Sequence, residues 1–191
     1  MRYPNYLNYM LLAAALGSLQ GCFPVIAAGV GTGALMATDR RTTGTYIEDE
    51  GIELKAASQI GLKYKDTAHV NVTSFNRHVL VTGEVPNEDT KADISKIVAS
   101  VTNVKAVSNE MAISGKTSFT SRSSDSITTK DVKLRFLNNK IFHPEHVKVI
   151  TENGTVFLMG SVYHKEADAA TEIASTTSGV LRVVKVFEYL D

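Results

Sequence analysis

Apolar and polar positions alternate with period two in two distant stretches of the chain. The first is His69-Val70-Asn71-Val72, followed by Val79-Leu80-Val81-Thr82-Gly83-Glu84-Val85. The second is His146-Val147-Lys148-Val149, followed by Val156-Phe157-Leu158-Met159-Gly160-Ser161-Val162, each position 77 residues after its counterpart. Alternation rich in β-branched residues predicts half-buried strands, and two such runs around a short polar break predict a β-hairpin. Asn153-Gly154 at the second break is a strong turn signal, because both residues tolerate positive φ, whereas Asn76-Arg77 at the first is a poorer one. A helical period follows each hairpin: Ile94, Ile97, Val98 and Val101 within 87–100, and Ala169, Ala170, Ile173 and Ala174 within 165–177. Short strands over 104–113 and 180–190 close the units at an offset of 76, and each unit opens with a helix, near 52–61 and 127–139. The internal duplication predicts an α+β chain built of two α-β-β-α-β units, each with a three-stranded mixed sheet packed by two helices.

The helix that opens the second unit has apolar side chains on two faces. At 100° per residue Ile127, Leu134, Leu137 and Ile141 share one face, which is the natural core side. Val132 and Phe136 then fall opposite, flanked by Lys133 and Lys140 on one side and Arg135 on the other. With Lys130 included and Asp131 subtracted, residues 127–141 carry a net charge of +3. A basic rim around exposed apolar side chains suits an anionic bilayer surface, where each basic residue contributes about 1 kcal/mol and the apolar pair adds insertion. Two other arrangements fit the same pattern: Val132 and Phe136 pack on the first domain, or the helix is rotated and they form the core.

The chain begins as an export signal. Arg2 precedes the apolar run Tyr9-Met10-Leu11-Leu12-Ala13-Ala14-Ala15-Leu16, which is short of the roughly 20 residues that span a bilayer but suits a signal h-region. Leu19-Gln20-Gly21-Cys22 then resembles the bacterial lipobox. That resemblance implies cleavage after residue 21 and acylation of Cys22, where two or more chains make anchoring stable. Phe23 rather than aspartate follows the cysteine, which by the same resemblance implies sorting to the outer membrane.

The repeated unit resembles the BON domain. The second copy carries its pattern closely, with Gly160 and Val162, Ile173-Ala174, Gly179-Val180 and Val183; the first departs in part, with Ile97-Val98 and Asn103-Val104. Together with the lipobox and the run Thr38-Asp39-Arg40-Arg41-Thr42-Thr43-Gly44, the chain is similar to dual BON-domain outer-membrane lipoproteins. The resemblance implies binding of anionic phospholipid, such as phosphatidylglycerol, through the second BON domain and its first helix. Its candidate site residues here are Ile127, Lys130, Val132, Lys133, Arg135, Phe136 and Lys140. The family commonly places an aromatic residue where this chain has Ser126, and Phe136 is expected to take its role. The expected organisation is a signal over 1–21, a lipid-anchored tether over 22–50, BON domains over 51–114 and 125–191, and a linker over 115–124.

Composition narrows the chemistry. The 191 residues carry 20 basic and 20 acidic side chains and a single cysteine. Charge balance argues against a duplex nucleic-acid binder, and a lone, acylated cysteine leaves no thiol for redox, metal or nucleophilic work. Gly29, Gly31 and Gly33 lack the strand and helix that a dinucleotide loop needs, and Gly115-Lys116-Thr117 lacks the earlier glycine of a phosphate-binding loop. His143 and His146 make a conceivable metal pair, but Pro144 breaks any helix between them. No catalytic residue and no cofactor is expected. The reading is a lipid-anchored, periplasm-facing phospholipid-binding module that supports outer-membrane integrity; an adaptor for an envelope-protein partner is the alternative.

Overall fold

The computed structural model describes residues 39–114 and 119–191, the side chains of 119–122 excepted. The first repeat runs α1 (Thr43–Tyr64), β1 (His69–Phe75), β2 (His78–Val85), α2 (Glu88–Ala99), β3 (Ala106–Asn109) and β4 (Ala112–Ile113). The second runs α3 (Phe119–Leu137), a 3-10 turn (Pro144–His146), β5 (Lys148–Glu152), β6 (Thr155–Val162), α4 (His164–Ser175) and β7 (Arg182–Tyr189). In each repeat the hairpin strands pair antiparallel, from His69↔Glu84 to Phe75↔His78 and from Lys148↔Met159 to Glu152↔Thr155. The strand after the crossover helix pairs parallel to the second hairpin strand, a pairing that needs such a long connection.

Three expectations change. The last strand of the first repeat splits into β3 and β4, so that sheet has four strands. The Asn109 side chain takes the Met111 amide locally at 3.2 Å while the Met111 side chain is buried in the core. The expected tether over 22–50 ends earlier, because α1 begins at Thr43 with the Thr42 hydroxyl capping the Thr45 amide. The expected linker over 115–124 is cut short by α3, which is helical from Phe119. Residues 1–38, with the signal and Cys22, lie outside the described residues.

Both hairpin turns are held by an aspartate from the preceding helix. Asn76 and Arg77 both adopt positive φ, at 51° and 67°, a conformation unfavourable for arginine. Buried Asp49 of α1 accepts the Asn76 amide at 2.9 Å and the Arg77 amide at 2.7 Å, and also the Ser74 hydroxyl at 2.7 Å. In the second repeat Asp125 of α3 accepts the Asn153 and Gly154 amides at 2.9 and 2.8 Å. The poorer turn signal thus forms the same turn as the strong one, because a buried carboxylate supplies the acceptors.

Each sheet lays one face on its helices. Val79, Val81 and Val85 meet Ile52, Ala56, Ile60, Ile94 and Val98; Val156, Leu158 and Val162 meet Val132, Phe136, Ala170 and Ala174. The alternate positions form a third apolar cluster, Phe75 and Leu80 with Phe157, Met159 and Val186, so the sheets face each other and the domain pair has helices outside and two sheets within. Polar contacts rim this interface, among them Lys148 Nζ to Glu53 at 2.9 Å, Asn153 Nδ2 to Glu84 at 2.8 Å and Asn71 Nδ2 to Glu152 at 2.8 Å. Burial raises the Glu152 carboxyl above the ordinary range; the Asn71 hydrogen bond offsets part of this, and the nearby Glu84 charge adds to it.

The repeated Gly83 and Gly160 are fixed by close approach. A Cβ on Gly83 would stand 2.1 Å from the His69 carbonyl oxygen, and one on Gly160 2.2 Å from that of His146. Gly160→Ala is therefore expected to destabilise by at least about 2 kcal/mol, since the hairpin must open or store strain. A thermal melt checks this; a midpoint equal to that of the parent contradicts it.

Candidate functional site

The rotation of α3 decides which side chains meet solvent. Val132 and Phe136 are 0% and 1% exposed, while Ile127, Leu134 and Leu137 are 61%, 48% and 66% exposed. The expected core face is therefore the outward face, and the expected outward pair is core. Phe136 packs edge-on against Phe142 with ring centroids 5.0 Å apart, so it does not replace the aromatic absent at Ser126. Val132 and Phe136 are removed from the candidate binding residues.

Polar tethers impose this rotation. Asp125 must reach the Asn153-Gly154 turn, and Thr129 Oγ1 donates to Thr151 Oγ1 at 2.7 Å. On the far flank Arg135 Nη1 donates to the Ile173 carbonyl and to Thr177 Oγ1, both at 2.7 Å. Arg135 thereby satisfies a carbonyl at the C-terminus of α4, where a cation is favoured, and is committed to the fold. Asp125, Thr128, Val132 and Phe136 form the inward stripe, with Thr128 lying under Gly179.

What remains outward is one continuous face. Ile127, Lys130, Leu134 and Leu137 follow each other at helical spacing, with Lys133 beside them. The helix ends at Leu137, where Asn139 accepts the Ile141 and Phe142 amides at 2.8 and 3.0 Å, so exposed Lys140 and Ile141 stand just beyond the helix. Among the described residues Lys130, Lys133 and Lys140 have no ion-pair partner. Lys130, Lys133, Leu134 and Leu137 also line a groove of about 680 Å3, whose opposite wall includes Arg41 and Tyr46.

The segment that leads into α1 is fastened across this arrangement by contacts that have no local signal in the sequence. Arg40 donates to Glu166 with both terminal nitrogens, at 2.7 and 2.8 Å, and to the Ser161 carbonyl at 2.8 Å. Arg41 pairs with Asp39 at 2.7 Å and Asp49 at 2.9 Å, and lies 4.0 Å over the Phe75 ring. Burial pushes the Glu166 carboxyl up, but the Arg40 hydrogen bonds, the Tyr163 amide and the Arg40 charge outweigh it and hold the group below its usual range. Arg40→Ala is expected to destabilise by about 1–2 kcal/mol, a figure reduced for partial exposure. The folded pKa is depressed, so this contribution is complete above the ordinary carboxylate value of about 4.3 and fades as pH falls through the lower folded one. Melts of parent and variant at pH 7 and pH 3 check it; a gap that widens in acid contradicts it. His143 and His146 lie with ring centroids 5.6 Å apart, and His146 Nδ1 is 3.8 Å from Glu166.

The BON domain profile matches residues 48–115 and 124–191, and the chain belongs to the BON-domain family in its two-domain form. Over 185 residues, 94% of this chain and 96% of the relative, it is 43% identical to Outer membrane lipoprotein DolP of Haemophilus influenzae. It is 34% identical over 154 residues to the 21 kDa hemolysin of Actinobacillus pleuropneumoniae, covering 80% of this chain and 79% of that one. Osmotically-inducible protein Y of Escherichia coli is 26% identical over 144 residues, 73% and 72% of the two chains. The chain is a dual BON-domain envelope lipoprotein of the DolP type. Among the described residues no helix is long and apolar enough to cross a membrane.

Proposed function

We propose that this lipoprotein binds anionic phospholipid, such as phosphatidylglycerol, through the outward face of α3, and so supports outer-membrane integrity from the periplasmic side without catalysis. The observation that carries the reading is the exposed stripe of Ile127, Leu134 and Leu137 interleaved with the cations Lys130 and Lys133, which have no ion-pair partner among the described residues. Near an anionic surface each such cation contributes about 1 kcal/mol, and apolar side chains that enter the interface add burial. Arg41, near the start of the described chain, borders the same groove as Lys130 and Lys133. The exposed side chains Ile47, Leu54 and Leu62 along α1 favour a second reading, docking of an envelope-protein partner on the first domain.

Flotation of residues 36–191 with vesicles tests the lipid reading. Binding should rise with the phosphatidylglycerol fraction, fall with salt as screening sets in, and weaken at least tenfold on Lys130→Glu with Lys133→Glu. Equal binding to phosphatidylcholine and phosphatidylglycerol would sink it.

A further inference from the structure

We propose that His69, Glu84 and Glu152 form a divalent transition-metal site, of the zinc type, that bridges the two BON domains. His69 and Glu84 are directly opposed across the first hairpin, and Glu152 ends β5 of the second domain. One ligating atom from each residue lies within 4.8 Å of the others. Glu84 is fully buried and Glu152 is 8% exposed, so two carboxylates meet where water solvates them poorly. Such an apposition is unfavourable unless positive charge or a proton is supplied. The hydrogen-bond partners of Glu152 are neutral: Asn71 Nδ2 at 2.8 Å and Thr82 Oγ1 at 3.5 Å.

The donor set suits the metal. One imidazole with two carboxylates is a zinc ligand set with a position left for water. Ligands about 2.0–2.2 Å from a tetrahedral ion stand about 3.3–3.6 Å apart, so the three donors need to draw in by about 1 Å, which side-chain rotation provides. The Asn71 and Asn153 amides already hold one oxygen each of Glu152 and Glu84, the outer contacts that fix ligating carboxylates. A cavity of about 350 Å3 lined by His69, Asn71, Asp125, Thr129 and Glu152 gives an ion a path from solvent. With two ligands in the first domain and one in the second, the ion would fasten the sheet-to-sheet interface. The site is separate from the α3 face and does not rest on the lipid reading.

Calorimetric titration of metal-free residues 36–191 with zinc chloride tests it. The expected result is one ion per chain and a melting midpoint raised by roughly 5–10 °C at a hundredfold excess over Kd. His69→Ala and Glu152→Gln should each weaken binding at least tenfold, and His143→Ala should leave it unchanged. No saturable binding, an unchanged Kd in His69→Ala, or loss of binding in His143→Ala would each overturn the assignment.

Discussion

Phe136→Glu is expected to unfold the second domain, not merely to weaken a surface contact. The side chain is 1% exposed and packs against Phe142, within a cluster that includes Val132, Val147, Val149 and Leu158. Truncating a core phenylalanine to alanine costs about 3–5 kcal/mol, and a buried unpaired carboxylate adds to this. Small proteins have about 5–15 kcal/mol in total. Phe136→Ala should therefore lower the melting midpoint by roughly 6–20 °C at roughly 2–4 °C per kcal/mol, and Phe136→Glu should abolish the cooperative transition. Circular dichroism melts of the two variants check this, and a parent-like midpoint in either would show that the helix is rotated the other way.

The opposite outcome is expected on the outward face of the same helix. Leu134→Asp with Leu137→Asp changes two exposed side chains and should leave stability within about 1 kcal/mol, as for surface positions generally. Burying a leucine contributes about 1.5–3 kcal/mol, and each new carboxylate offsets one of the nearby lysines. The pair should thus lose at least 3 kcal/mol of bilayer affinity, about a hundredfold in partition. Vesicle partition measured beside the melt separates the two effects: lost binding with an intact fold is the expected result, and retained binding contradicts it.

The contrast between neighbouring residues shows where the sequence was ambiguous. The hairpins were legible because period two and the repeated glycines act through local sterics. The second repeat's turn was legible from Asn153-Gly154; the first was not, since Arg77 adopts positive φ only because Asp49, 28 residues earlier, receives its amide. Rotation of α3 was illegible from periodicity because both faces are apolar. Ile127, Leu134 and Leu137 make as good a stripe as Thr128, Val132 and Phe136. The deciding signal lay in the duplication. Asp49, Ile52, Ala56 and Ile60, the buried stripe of α1, fall 76 residues before Asp125, Thr128, Val132 and Phe136. Superposing the helices on Asp49 and Asp125 sets the inward face; superposing Ile52 on Ile127 instead shifts it by one residue and about 100°. The inter-sheet cluster of Phe75, Leu80, Phe157, Met159 and Val186 had no local signal, because a sheet with both faces buried reads as a continuous apolar run.

The outward face of α3 is the surface proposed to meet anionic lipid. The most direct measurement is residue-resolved line broadening of amide NMR signals on addition of phosphatidylglycerol micelles carrying a spin-labelled lipid. The strongest broadening is expected at Ile127, Lys130, Lys133, Leu134 and Leu137, with little at β3 or at the C-terminus of α4. Broadening centred on Ile47, Leu54 and Leu62 of α1, or none above that with neutral micelles, would contradict it.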